Sequence, residues 1–304
     1  MGGKLVSALD WNRDGGGWRL NLVLQDGGYE RKPLTPGSDI SFIVQRGRFC
    51  RGYTRLATRD KGGSTDSWRE RTPCPDNAEI KSGSQCSLCR SIDVMNPCLR
   101  CVGDECQALL EVRRACEGNE CYVYLASFNG RIKAGVSSGA RVIKRWIEQG
   151  ADAAVRVLRG NGMEVRRFEK RIQEKMGALN HLRTDQKLDL PTNGVADDLT
   201  KLRKFAVQVH AAFPEERHIK EEPQALIPLY GIADLDVKPL RLRIEEGATI
   251  SGQIIGAKGS VLIVNMGSLP RVINMRNLIG RKIDFDKPPD ARTQSGLGRF
   301  IQGA

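Results

Sequence analysis

The sequence predicts an α+β protein, and three observations carry that expectation. Both ends of the 304-residue chain alternate apolar and polar residues between Gly-rich turns. Residues 121 to about 183 instead read strand, strand, helix, strand, helix, and a Cys-rich stretch with almost no apolar periodicity precedes them. A period of two marks half-buried strands, and a period near 3.6 marks amphipathic helices. The expected organisation is an N-terminal β-rich module (1–50), a zinc-binding Cys-rich segment (51–120) and a three-stranded α/β core (121–183). A linker and helix (184–213) and a C-terminal β-rich module with a loose tail (214–304) follow.

In chain order, WRLNLVLQDGGYERKPL predicts two strands joined at a DGG turn, and SDISFIVQRGRF predicts a third. Residues 51–120 combine Pro, Gly, Ser, charges and cysteines; such a segment cannot build its own core and needs a metal to organise it. YVYLA and IKAGVS are the first two core strands and AAVRVL (153–158) the third. Ala140 to Gln149 is predicted helical, with Val142, Ile143, Trp146 and Ile147 inward. Met163 to Met176 is a second helix, its apolar stripe formed by Val165, Phe168, Ile172 and Met176. The stretch 184–198 is expected as a linker ending in an N-cap-like Asp198, before a third helix over 199–213. After residue 214 the pattern returns to strands, and the tail after Phe285 is expected to be loose. One internal echo is visible: 33–44 and 243–254 share the frame apolar-x-x-Gly-x-x-Ile-Ser.

The chain is 40% hydrophobic and 28% charged, with no apolar run long enough to cross a bilayer and no signal-peptide-like apolar start. A cytoplasmic protein with no membrane partner is expected. Its net charge of +12 favours anionic partners, nucleic acid first, because neutralising phosphates releases counterions. DNA and RNA are equally compatible with that charge.

Nine cysteines in a cytosolic chain point away from disulfides. All but Cys50 fall from Cys74 to Cys121. Cys86 and Cys89 form one C-x-x-C knuckle and Cys98 and Cys101 another, followed by Cys106 and Cys116. Paired knuckles are the usual framework of structural zinc, one ion or two, with an iron–sulfur cluster as the other chemistry four thiolates support. Two pairings are open. Cys50 and Cys74 complete a site with Cys86 and Cys89, leaving Cys98, Cys101, Cys106 and Cys116 for a second; or the two knuckles form one ribbon. Cys121, opening an apolar strand, is expected as a buried thiol outside either site.

FCRG around Cys50, PCP around Cys74, QCSLC, YVYLA, IKAGVS, RWIEQGA and RRFE together resemble a family of prokaryotic proteins catalogued as a domain of unknown function. That family couples a Cys-rich N-terminal half to a core resembling the GIY-YIG nucleases, and the resemblance covers roughly 50 to 175. It implies that Cys50 and Cys74 join the first knuckle. It also implies a phosphodiesterase using one divalent ion, Mg or Mn. Tyr124 stands at the Tyr of the GIY strand, Arg145 at the helix Arg and Glu169 at the metal-binding Glu. Where the YIG strand carries its own Tyr this chain has Lys133, as in a branch with a KIG-like strand, and no equivalent of the late Asn is evident. A carboxylate suits a hard cation, a guanidinium suits phosphoryl oxygens and a phenol suits positioning of water.

Each residue also has a plainer reading. Tyr124 fits strand packing, Arg145 fits an ion pair with Glu148 or Glu169, and Glu169 fits an i,i+4 partner on a basic helix. Three functions follow from the sequence: a metal-dependent endonuclease with structural zinc, a non-catalytic zinc-containing nucleic-acid-binding protein with a degenerate nuclease core, and a zinc-stabilised assembly factor with a protein partner.

Overall fold

The computed structural model describes residues 3–15, 17–57, 69–182, 195–232, 239–267 and 269–285. Most of the expected linker, and the tail from 286, lie outside them.

Strands β1 (Lys4–Asp14), β2 (Gly17–Asp26) and β3 (Gly28–Leu34) form a meander, and β4 (Asp39–Val44) follows. The expected DGG turn joins β2 to β3, with Gly27 at φ +67°. The Cys-rich segment holds a two-stranded ladder, β5 (Tyr53–Leu56) with β6 (Arg69–Thr72), and two short helices, α1 (Ser87–Ile92) and α2 (Leu110–Gly118). The core has β7 (Cys121–Phe128), β8 (Arg131–Ser138), α3 (Val142–Gln149), β9 (Ala153–Gly160) and α4 (Gly162–Met176). It continues through α5 (Ala196–Ala212) to β10 (Gln224–Ala225). Strands β11 (Leu240–Leu242), β12 (Thr249–Lys258), β13 (Val261–Met266), β14 (Leu269–Asn274) and β15 (Lys282–Asp284) complete the described chain.

The two β-rich ends do not stand as separate modules. They interleave in one nine-stranded sheet, ordered β11-β14-β13-β12-β4-β15-β1-β2-β3. The internal echo is the seam. β4 and β12 run antiparallel with Ser41 opposite Ser251, so the two copies of the frame meet head to tail. The backbone bonds are related by a local two-fold: Gly37 N–H donates to Ile254 O (2.7 Å) and Gly247 N–H to Val44 O (2.8 Å). Pairing across the seam removes the exposed edges that two independent sheets would each carry.

The core sheet is ordered β10-β9-β7-β8, four strands instead of the expected three. The added strand, two residues long, has no periodicity to read. α3 and the Tyr124 side of the sheet face the nine-stranded sheet's core, whereas α4 and α5 cover the opposite side with Val165, Ile172, Leu202 and Val209. In α3, Val142, Trp146 and Ile147 are buried, but Ile143 is 44% exposed, contrary to the inward assignment. At 100° per residue Ile143 points between the buried Trp146 and Ile147, so its exposure goes with its place in the first turn of α3 and not with the helical wheel. α4 begins with a capping box, Asn161 with Glu164. Asp198 does not cap α5; it lies inside the helix, buried, and accepts from the Ser127 hydroxyl and from Gly130 N–H.

The two sheets are keyed together at one point. Gly150, the left-handed cap of α3, meets Gly259 at the β12–β13 turn, where a Cβ on Gly259 would lie 2.8 Å from Gly150 N. Trp11 Nε1–H donates to Gly259 O (2.7 Å), and Lys258 forms a buried ion pair with Asp152. Among the described residues no helix is long and apolar enough to cross a membrane.

Candidate functional site

Strand β8 is an edge of the core sheet, and a cleft of about 940 Å³ opens beside it between α3, α4 and the Cys-rich segment. Tyr124, Lys133, Arg145 and Glu169 all line this cleft. Strand pleating explains the first two. Tyr124 pairs with Gly135 and Ala126 with Lys133, so residues two apart on each strand share one face. Gly135 is required there: a Cβ would lie 2.4 Å from the Tyr124 hydroxyl. Arg141, the N-cap residue of α3, and Arg145 are four residues apart on one side of it, and Arg166, Glu169 and Gln173 share one face of α4.

Among the described residues seven cations line the cleft (Arg69, Arg100, Lys133, Arg141, Arg145, Arg166 and Lys170) against one carboxylate, Glu169. Burial pushes the Glu169 carboxyl above its ordinary value, opposed by the charges of Lys133, Arg166 and Arg145. Among the described residues no cation stands within 4.0 Å of that carboxylate. Arg145 instead reaches Glu148 at 3.7 Å, as its plainer reading anticipated. Lys133 Nζ donates to Asn180 O at 2.6 Å, and burial pushes its ammonium pKa down. Tyr124 is 1% exposed and packs edge-on against Trp146. Its hydroxyl accepts from Gln149 Nε2–H, and burial pushes the phenol up against the opposing charge of Arg145. A phenol held protonated is suited to donating a hydrogen bond and positioning an oxygen, less to removing a proton.

Sequence reasoning missed Arg166, Gln149 and Asn180. Arg166 was legible in principle, three residues before Glu169 on the same helical face. Gln149 was hidden because it reads as a polar helix end, and Asn180 serves Lys133 through its main-chain carbonyl, for which no side-chain signal exists.

Cys50, Cys74, Cys86 and Cys89 gather so that all four sulfurs lie within 4.8 Å of one another. Cys74 Sγ and Cys86 Sγ are 4.0 Å apart, close to the roughly 3.8 Å that two sulfurs about 2.3 Å from one tetrahedral zinc would show. Backbone N–H groups of Cys86 (3.2 Å) and Gly52 (3.4 Å) point at Cys50 Sγ, as expected for thiolate ligands. Cys86 also caps α1, its sulfur accepting from Cys89 N–H at 3.5 Å. Gly52 permits the approach: at φ +82°, a Cβ there would lie 1.9 Å from Thr72 O. The residues fit a single thiophilic ion with a closed, four-protein-ligand shell, and are too close together for a multi-iron cluster. The one-ribbon alternative is not formed, since Cys98 and Cys101 line a different cavity with Cys106 and Cys116. Cys121 is buried in β7, outside both groups. Cys89→Ser is expected to remove one equivalent of zinc per chain and open residues 69–96 to limited proteolysis; unchanged zinc content would exclude the quartet as a metal centre.

A family model described as "Protein of unknown function (DUF2797)" matches residues 73–283, and the chain belongs to that family. The match runs past the expected limit near 175 and reaches β15, so the C-terminal strands are part of the family unit. No curated protein and no solved structure matches the chain.

Proposed function

We propose that this member of the DUF2797 family is a divalent-cation-dependent nuclease, with a GIY-YIG-like core and structural zinc in the Cys50 quartet. The observation that carries the reading is Glu169, a half-buried carboxylate without an ion-pair partner among the described residues, in a cleft whose other described charged side chains are cations. A surface that only holds phosphate is weakened by a carboxylate facing it, whereas one hard oxygen ligand fits Mg²⁺, which keeps most of its waters and takes few protein ligands. When bound, Mg²⁺ or Mn²⁺ supplies Lewis-acid polarisation of a phosphoryl oxygen.

The remaining roles belong to side chains. Arg145 offers a planar donor fork to the non-bridging oxygens, where negative charge accumulates. Lys133, anchored on Asn180 O, keeps further ammonium donors for phosphate. Tyr124 accepts a hydrogen bond from Gln149, leaving its own proton to orient an oxygen in the cleft.

Labelled single-stranded, double-stranded and branched DNA and structured RNA, incubated with the protein and Mg²⁺ or Mn²⁺, test the reading; cleavage of at least one is expected. Salt-sensitive binding of these without cleavage of any would overturn it in favour of a non-catalytic nucleic-acid-binding protein, a reading that Lys133 in place of the second Tyr supports. Arg145→Ala is expected to weaken nucleic-acid binding by about tenfold and to lower the salt slope by about 1, measured by fluorescence anisotropy across a salt series.

A further inference from the structure

The second group of cysteines is not absorbed by the nuclease reading. Cys98 and Cys101 flank the end of a three-residue helical turn (Pro97–Leu99), Cys106 lies in the following loop, and Cys116 lies on α2. All four line one cavity of about 10 Å³, against Met163 and Arg166 of α4. A space of that size takes a single atom-sized occupant. We propose that Cys98, Cys101, Cys106 and Cys116 hold a second zinc ion, which fixes the wall of the cleft opposite Lys133. This inference does not depend on the cleavage reading.

Three observations support it. First, the segment has no other means of holding its shape. From 97 to 119 Val112 is the one buried hydrophobic residue, while Leu99, Val102, Leu109 and Leu110 are exposed. A stretch that buries so little apolar surface needs a ligand to order it, and the four cysteines that line one space are the donors available.

Second, the backbone is shaped to bring these thiols to α4. Gly103 takes φ +90°, and a Cβ there would lie 2.3 Å from Met163 O; a Cβ on Gly162 would lie 2.3 Å from Cys116 Sγ. Both contacts require glycine, so the loop seats closely on the first turn of the helix. Third, a compensating cation is in place. Arg166 donates to Cys101 O at 3.1 Å and also interacts with Cys116. Four thiolates around Zn²⁺ carry a net charge of −2, and a guanidinium outside the ligand shell offsets it and orients the ligands.

No three of these sulfurs lie within 4.8 Å of one another, unlike those of the first quartet. Ligation therefore requires these side chains to turn inward by rotation about χ1 between staggered positions. Packing of four small apolar thiols is the competing account. It leaves unexplained why they are grouped where apolar side chains remain exposed.

Metal analysis of the purified full-length protein is expected to find two zinc ions per chain, and the Cys106→Ser/Cys116→Ser variant one. A second measurement, on the wild-type protein, is independent of how the variant folds. Iodoacetamide alkylation followed by peptide mass spectrometry should show Cys98, Cys101, Cys106 and Cys116 protected with zinc and modified after chelation. One zinc per chain in the wild-type protein, or alkylation of these four at the same rate with and without chelator, would overturn the proposal.

Discussion

Glu169→Gln is expected to abolish divalent-cation-dependent cleavage, by more than about a thousandfold, while making the protein more stable at neutral pH. The loss follows because Glu169 is the one carboxylate in the cleft among the described residues: the amide offers a far poorer ligand, and a Lewis-acid contribution of about 4 kcal/mol corresponds to about three powers of ten in rate. The gain follows from the direction of its titration. Burial, the largest influence on Glu169, raises its folded-state pKa above the ordinary 4.5, overcoming the three nearby cations. A carboxyl with a raised folded pKa favours its neutral form in the native state, so its ionisation at neutral pH costs stability. Glutamine resembles the neutral form and removes that cost. The difference between variant and wild-type should be largest at neutral pH and disappear as the pH falls below 4.5, where both folded and unfolded carboxyls are protonated. Thermal unfolding of the two proteins at pH 4 and pH 7, beside the cleavage assay, measures both effects. A lower midpoint for the variant at neutral pH would mean that the cations hold Glu169 as a structural partner and would remove the main support for its proposed role.

How much of this cleft was readable before the fold was known depends on the range of the contacts involved. Tyr124, Lys133, Arg145 and Glu169 are named by the resemblance to the GIY-YIG nucleases; strand alternation and the order of the two helices account for how each is placed, because each position is set by the residues beside it. Their arrival in one cleft required only the expected strand–strand–helix–strand–helix order. The errors are of a different kind. Ile143 reads as inward because it is apolar and shares the stripe of Trp146 and Ile147, yet it stands 44% exposed in the first turn of α3. Asp198 was assigned to a cap because Asp favours that position, but a buried bond to Ser127 holds it inside the helix. Tertiary contacts override local preference in both cases.

The nine-stranded sheet shows the same limit on a larger scale. Each end of the chain reads correctly as strands, but the pairing of β4 with β12 spans some two hundred residues and no local pattern specifies it. The echo between 33–44 and 243–254 was the one sequence feature carrying that information. Its meaning depends on register: Ser41 facing Ser251 turns two similar segments into partners across a local two-fold. Likewise the cysteine spacing indicated metal without choosing between pairings, because Cys50 and Cys74 reach the first knuckle only through the β5–β6 ladder and the turn at Gly52.

Lys258→Met is expected to destabilise the fold by about 3–5 kcal/mol, the usual cost of leaving one member of a buried pair uncompensated. Lys258 is 3% exposed and Asp152 fully buried, and the carboxylate's other oxygen accepts from Asn129 N–H at 2.6 Å. Burial already pushes the Asp152 carboxyl up despite Lys258, so removing the ammonium raises it further. The sign of the pH dependence follows. A raised folded pKa disfavours the native state once the pH exceeds the unfolded value near 3.8, so the deficit of Lys258→Met should be small in acid and grow toward neutrality. Adding Asp152→Asn removes the stranded charge and is expected to recover a large part of the loss, a coupling that urea unfolding of the four proteins in a double-mutant cycle would measure. Additive losses would show that the pair acts through packing alone. Because it lies beside the Gly150–Gly259 contact, its rupture loosens the nine-stranded sheet from the α3 end of the core. Arg145, five residues before Gly150, should then lose its fixed position in the cleft, and nucleic-acid binding should fall in parallel with stability.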